Sequence, residues 1–139
     1  KYRTKLSGPL LDRIDIHVEM PAVEYRDLAD RPEGEASQEV RGRCQNVRRI
    51  QQDRFAGKKI RCNAHMAGAT LRKFCTLDDE AQNVLKIAIN ELGFSARAYD
   101  RVLRVSRTIA DMAGADSIHA QHVLEAVQYR NLDRHSWAT

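Results

Sequence analysis

Two arginines stand where a guanidinium could reach a phosphate, and Arg13 is the first. It has Asp12 and Asp15 beside it and lies at the entrance to an alternating apolar segment. From that position an arginine can donate several hydrogen bonds to a phosphate, as arginine fingers do in phosphoryl transfer. The alternative is a surface arginine paired with one of the two acids, and spacing alone favours that alternative.

The second arginine, Arg97, falls in the first turn of a helix predicted to begin after Ser95. Unpaired backbone N–H groups and the helix dipole already attract anions there, so a cation at this point indicates an anionic partner. Arg101 and Arg104 follow on the same face of that helix. A solvated basic face explains the three arginines equally well.

Cysteine and histidine side chains offer a weaker candidate, a zinc site. Cys62 and His65, with Cys44 and Cys75, include the right ligand types. The long gap after Cys44 and the lack of a second close pair argue against the site. We therefore expect free thiols and no metal, as in a reduced, cytoplasmic protein.

Motifs for unaided catalysis are missing from the sequence. Gly57-Lys58 is the only Gly-Lys pair, and it lacks the earlier glycine of a phosphate-binding loop. There is no serine or cysteine nucleophile motif. His119 and His122 have no third ligand nearby and are expected to cap a helix or lie on the surface. We therefore expect no activity from this chain alone.

The segment after Arg13 is the clearest strand in the sequence. Apolar and polar residues alternate from 14 to 20 until Pro21, which places Ile14, Ile16, Val18 and Met20 on one face. A single strand is not stable without partners. We therefore expect its sheet to belong to an α/β core outside this sequence.

Beyond a linker at residues 21–36, the pattern is helical. Ser37 is predicted to cap a helix that runs to about Ala56, and a short helix is predicted at 71–75. The next helix opens with a capping box at Thr76 and ends at Gly93, another runs from Ser95 to Gly114, and the last covers about 120–130. The predicted apolar stripes are Val40, Cys44, Val47 and Ile50; Ala81, Leu85, Ala88 and Leu92; Ala98, Val102, Val105, Ile109 and Met112; and Val123, Leu124 and Val127.

The composition of the chain is that of an ordinary soluble domain. Its 139 residues are 42% hydrophobic and 30% charged, enough for one hydrophobic core. No apolar stretch is long enough to cross a bilayer. The formal net charge of +4 permits a polyanionic partner without requiring one.

One block of sequence resembles a known family signature. Ser-Gly-Pro-Leu-Leu-Asp-Arg-Ile-Asp-Ile-His-Val-Glu, at residues 7–19, resembles that of magnesium-chelatase-like AAA+ ATPases of the ComM/YifB type, which are linked to bacterial competence. Further similar blocks lie in order at residues 72–75, 92–99, 107–111 and 122–130. The resemblance therefore covers nearly the whole chain.

The resemblance implies a role for each of the two arginines. Arg13 would be the arginine finger that acts on the nucleotide of a neighbouring subunit, and Arg97 the sensor-2 arginine that contacts the γ-phosphate from the helical lid. ATP and Mg²⁺ would be cofactors of the full-length parent, with neither bound tightly by this fragment. The implied partners are identical subunits in a ring, expected to be a hexamer, and DNA.

Together these inferences predict a mainly α fold, a helical AAA+ lid bundle of four to five helices preceded by one strand of an absent core. Residues 1–20 would end the core, 21–36 form the linker, 37–131 the lid and 132–139 a flexible tail. One alternative is a free-standing DNA-binding module that uses its basic helical faces, including Arg41, Arg48 and Arg49. Another is the ATPase subunit of magnesium chelatase.

Overall fold

The computed structural model describes residues 7–25 and 34–130. Its helices are α1 (Gly8–Leu11), α2 (Ser37–Arg54), α3 (Gly68–Phe74), α4 (Asp79–Leu92), α5 (Ala96–Met112) and α6 (Ala120–Gln128), with a 3-10 turn at Asn63–His65. The predicted, mainly helical fold is confirmed. No helix within these residues is both long enough and apolar enough to cross a membrane.

Helix α5 is the central element of the bundle. It packs against α2, α3, α6 and the 3-10 turn, while α6 also packs against α4. Large side chains from each of these layers fill the core, among them Met66, Leu71, Leu85, Val102 and Val123. At roughly 1.5–3 kcal/mol for each large apolar side chain fully removed from water, this core is the main stabilising contribution.

The helix ends confirm some of the predicted caps and correct others. The Ser95 hydroxyl accepts a hydrogen bond from the Ala98 N–H at 3.1 Å, as predicted. Gly93 ends α4 in the left-handed conformation with φ 63°, which glycine adopts without steric cost. The cap of α4 is Asp78, not Thr76, because the Asp78 carboxylate accepts the hydrogen bond from the Ala81 N–H at 2.7 Å.

The amino-terminal ends of α4 and α6 are joined side by side. Leu77 and Ile118 form a parallel β-bridge directly before the two helices. Asp78, besides capping α4, contacts the His119 Nδ1 at 2.7 Å. These bonds hold α4 and α6 in register, so α6 packs against both α4 and α5.

Helix α2 begins and packs differently from the prediction. Ala36 occupies the N-cap position without a side-chain bond, and Ser37 is already the first helical residue. Of the predicted apolar stripe, only Val47 is buried, whereas Val40 and Cys44 are exposed. The reason is geometric: only the carboxyl-terminal part of α2 reaches α5, so the first turns have no neighbour within the described residues.

The predicted strand at residues 14–20 forms neither helix nor β-ladder in the structure. Its backbone bond to another element runs from the His17 N–H to the Tyr129 carbonyl at 2.7 Å. His17 is the only buried residue of this segment, and the predicted apolar face, Ile14, Ile16, Val18 and Met20, is exposed together with Asp15 and Glu19. The described residues contain no sheet, so the strand and its sheet outside this sequence stay predictions. Most of the predicted linker, residues 26–33, and the predicted tail lie outside the described residues.

Candidate anion-binding site

The loop that carries Arg13 is fastened to the end of the bundle by a buried arginine. Arg130, only 1% exposed, donates from Nη1 to the Ile14 carbonyl at 2.6 Å and from Nη2 to the Leu11 carbonyl at 3.5 Å. His17 Nε2 lies 3.3 Å from the same Leu11 carbonyl. The loop therefore has a defined position on the end of the bundle rather than hanging free of it.

A second connection joins this loop to the beginning of α5. The Ser95 hydroxyl, which caps α5, also donates to Asp12 Oδ2 at 3.0 Å. Arg13 is the next residue after Asp12, and Arg97 lies two residues beyond Ser95. The structure therefore brings the segments of both candidate arginines to the same end of the bundle.

Arg13 does not form the surface ion pairs that its acidic neighbours suggested. Asp12 is engaged by Ser95 and lies 3.9 Å from Arg130, while Asp15 forms an ion pair with Arg101. Arg13 itself is exposed, and no hydrogen bond or ion pair joins its guanidinium to another residue that the structure describes. It is thus a cation at a fixed loop, open to an external partner.

The three arginines of the α5 face have different environments. Arg97 is exposed and has no side-chain partner among the described residues. Arg101 pairs with Asp15, and Arg104 donates from Nε to the Met66 carbonyl at 2.8 Å. The predicted continuous basic face is therefore reduced to Arg97 in the first turn of α5, where the helix dipole adds to its attraction for anions.

A buried polar cluster supports the centre of the fold, and sequence patterns did not predict it. Asp111 accepts from Arg107 Nε at 3.0 Å, from Arg54 Nη1 at 2.7 Å and from Asn63 Nδ2 at 2.8 Å. Arg54 also donates from Nη2 to Asp111 Oδ1. Because one carboxylate accepts from all three side chains, Asp111 joins α2, the 3-10 turn and α5.

The sulfur and imidazole groups do not converge. Cys62 Sγ lies 3.6 Å from His65 Nδ1, but Cys44 is exposed on α2 and Cys75 is buried in the core. Burial raises the pKa of the Cys75 thiol to about 11. Across residues 7–25 and 34–130, no three or more His, Cys, Asp or Glu side chains come together as metal ligands.

The histidines at the start of α6 form a cap. His122 Nδ1 accepts a hydrogen bond from the His119 N–H at 3.0 Å, so the buried His122 ring must be unprotonated at that nitrogen. Burial lowers the pKa of His122, and the nearby charges of His119 and Arg107 lower it further. The pair therefore has a structural role.

An open groove of about 1050 Å³ lies between α3, α4 and the start of α5. Leu71, Leu85 and Leu103 form part of its floor, and Tyr99 and Asp100 part of its wall. Neither Arg13 nor Arg97 lines it. The groove is therefore separate from the candidate site.

Fold and site together define a helical domain that presents two exposed arginines at the amino-terminal end of its central helix. Residues 34–130 match the family model described as magnesium chelatase, subunit ChlI C-terminal, and residues 1–28 match that of magnesium chelatase, subunit ChlI. The chain belongs to this magnesium chelatase family, as a C-terminal region of the ComM/YifB kind. The helical domain is the lid that the resemblance implied.

Individual relatives agree with this assignment. The chain is 42% identical over 135 residues to the competence protein ComM of Haemophilus influenzae. It is 39% identical to YifB of Salmonella typhimurium and 38% identical to YifB of Escherichia coli over the same length. Each match covers 96% of this chain and 26% of the relative, so the chain spans about a quarter of the length of these curated relatives.

Proposed function

We propose that this chain is the lid segment of a ring-forming AAA+ ATPase and that Arg13 and Arg97 supply positive charge to bound nucleotide. One observation carries the proposal. Two exposed guanidiniums without partners in the described structure lie on segments that the Asp12–Ser95 hydrogen bond joins. Each setting fits a phosphate by itself: Arg13 is an exposed cation on a loop held against the bundle, and Arg97 adds a cation to the amino-terminal end of α5.

The two arginines have separate roles in this proposal. Arg13 reaches the nucleotide of the neighbouring subunit and neutralises the charge that develops during phosphoryl transfer. Arg97 contacts the γ-phosphate in its own subunit, so its contact depends on whether that phosphate is present. ATP and Mg²⁺ would be the cofactors of the full-length parent.

The parent's task follows as a further part of the proposal. Hydrolysis would move the lid and thereby remodel a substrate, and we propose DNA as that substrate. A relative with 42% identity carries the name competence protein, which supports a role in DNA processing. The parent would act in the cytoplasm as a ring of identical subunits, with a hexamer as the expected form.

The structure weakens one alternative function. The free-standing DNA-binding module would use Arg97, Arg101 and Arg104, together with the exposed α2 face of Arg41, Arg48 and Arg49, which the following bonds do not affect. Arg101 and Arg104 instead bond to Asp15 and to the Met66 carbonyl, so they offer fewer free donors to an external phosphate. The other alternative, a magnesium chelatase subunit, shares the same helical lid and differs from the proposal in its substrate.

The experiment that tests the proposal uses the intact ATPase that contains this chain. Arg13→Ala should leave ATP binding nearly unchanged and lower turnover by about a thousandfold, the lower range for a lost arginine finger. Arg41→Ala removes an exposed arginine from α2 and serves as the matched control, with turnover unchanged. Full activity of a correctly assembled Arg13→Ala ring would refute the finger assignment.

Mixed rings separate the two roles. Arg13→Ala subunits mixed with subunits that cannot hydrolyse ATP, through a change in their own acidic hydrolysis motif, should regain activity. Some interfaces then combine an intact motif with an intact Arg13. Arg97→Ala subunits in the same mixture should stay inactive, because no subunit has both its own motif and its own Arg97. Recovery with Arg97→Ala would instead place both arginines on the neighbour's nucleotide.

A further inference from the structure

A second positively charged surface lies away from the two candidate arginines. Every Lys, Arg, Asp or Glu between residues 54 and 77 is a cation. Arg54 is used in the buried cluster around Asp111, and the other five are exposed: Lys58, Lys59, Arg61, Arg72 and Lys73. We call these five residues the Lys58–Lys73 surface.

The fold draws the two ends of this segment together on one aromatic ring. The Lys58 Nζ lies 5.9 Å and the Lys73 Nζ 5.6 Å from the centre of the Phe74 ring. Phe74 in turn packs edge-on against the buried Phe55, with ring centres 5.4 Å apart. Both ammonium groups are therefore placed over the same ring, which attracts a cation, and the two ends of the segment contribute positive charge beside it.

Within residues 7–25 and 34–130, no ion pair offsets these charges. None of the five side chains forms an ion pair with another residue that the structure describes, whereas Arg43 and Arg101 pair with Glu35 and Asp15. Their loop is also held in place, because Asn63 bonds to Asp111 and its N–H donates to Gln51 at 2.9 Å. These cations therefore lie on a backbone that is held in place, and none of them has an ion-pair partner among the described residues.

We propose that the Lys58–Lys73 surface binds the phosphate backbone of DNA. Several cations spread over a loop and a helix suit a repeating anion better than a single small one. Lysines lie over the Phe74 ring, so the surface favours phosphate contacts without base stacking, and binding should be independent of sequence. The choice of DNA rests on the proposed function, but the binding itself needs no nucleotide hydrolysis.

An anionic membrane is a less suitable partner for the same charges. Stable attachment to a bilayer usually combines charge with apolar insertion. None of the large apolar side chains that the described structure exposes lies between residues 54 and 77. The surface therefore provides charge without a group that could insert.

The test measures binding of a fluorescein-labelled 30-base-pair duplex by anisotropy, without ATP, over a range of KCl concentrations. Lys58→Glu/Lys73→Glu should weaken binding roughly tenfold or more. The slope of log affinity against log salt should become shallower by about 2, because each lost phosphate contact contributes about 0.9 to it. Arg41→Glu/Arg48→Glu changes the net charge equally on α2 and should weaken binding by less than about threefold.

Each other outcome counts against the proposal. Equal losses in the two double variants would mean that net charge alone governs binding, and a larger loss on α2 would place the DNA surface there. No loss in either would refute the surface. Preferential binding of the wild-type chain to phosphatidylserine vesicles over the duplex would assign the surface to membranes.

Two further measurements keep the test decisive. Circular dichroism checks that each variant stays helical. If the two glutamates disturb the packing of Phe74, the neutral variant Lys58→Gln/Lys73→Gln replaces the charge-reversed variant. Turnover of the intact Arg13→Ala ATPase is measured separately. Loss of DNA binding can therefore be distinguished from failure of the proposed nucleotide site.

Discussion

Replacing Asp111 by Asn removes one buried charge and almost nothing of the side chain's shape. The Asp111 side chain is fully buried, and the Arg107 side chain is 2% exposed. Each carboxylate oxygen accepts from two donors: Oδ1 from Arg107 and Arg54, and Oδ2 from Arg54 and Asn63. The amide NH₂ of asparagine would therefore face two N–H donors in either orientation.

The expected loss of stability follows from the charges left behind. Asp111→Asn leaves the buried Arg107 and the largely buried Arg54 without an anion, and breaking a buried pair in this way costs about 3–5 kcal/mol. In a domain of this size the melting temperature would fall by about 12 °C or more. That is a large part of the total stability of a domain, which is about 5–15 kcal/mol.

Urea unfolding followed by helical circular dichroism measures the effect. Asp100→Asn is the matched control because it makes the same substitution on the same helix, where Asp100 is 3.7 Å from Arg104 with 41% of its side chain exposed. That surface pair should contribute below about 1 kcal/mol. If Asp111→Asn costs no more than Asp100→Asn, the cluster is not what holds α2 and the 3-10 turn on α5.

Three further predictions test other parts of the molecule. The chain alone should release no phosphate from ATP and should bind it more weakly than about 1 mM by calorimetry, because two arginines supply few contacts. The pKa of His122 is lowered by its burial in the folded protein, so the unfolded chain binds more protons. The free energy of unfolding should therefore fall as the pH drops below about 6.5, and it should fall less in the His122→Asn variant than in the wild type. Burial raises the pKa of Cys75 to about 11, so Cys75 should react with a disulfide reagent only on unfolding, whereas the exposed Cys44 should react at once. EDTA should leave the melting temperature unchanged.

The helices were predictable because their signals are local. Ser95 and Gly93 mark their helix ends through their own backbone and side-chain chemistry. The stripe Ala81, Leu85 and Ala88 is buried as its spacing predicted. The cap of α4 was harder to predict, because Thr76 and Asp78 are both good capping residues. The Leu77–Ile118 bridge fixes the path of the chain before α4, and that path makes Asp78 the cap.

The buried face of α5 was predicted only in part. Ala98 and Val102 are buried, but Met112 is 58% exposed while Arg107 and Asp111 are covered. Hydrophobic spacing assigns arginine and aspartate to the surface because an isolated buried charge is costly. Here a third partner, Arg54, comes from a position 57 residues away from Asp111 in the sequence. Spacing within one helix cannot reveal such a partner.

The candidate site depended on both kinds of information. Sequence and resemblance singled out Arg13 and Arg97, while the acids beside Arg13 predicted an ordinary surface pair. The structure shows Asp12 and Asp15 engaged by Ser95 and Arg101 instead. Neither bond was predictable, since each joins residues more than eighty positions apart.

Helix α5 connects the two proposed binding surfaces of the lid. Its amino-terminal end carries Arg97 and, through Ser95, the Arg13 loop. Near its other end, about 21 Å from Arg97 along the axis at about 1.5 Å per residue, Asp111 accepts a hydrogen bond from Asn63, in the 3-10 turn between Arg61 and Arg72. A rigid helix moves as one body, so a displacement at the amino-terminal end of α5 reaches the residues packed on its other end without any change in the fold between them. The buried cluster at Asp111 therefore links the helix that carries Arg97 to the turn beside the Lys58–Lys73 surface.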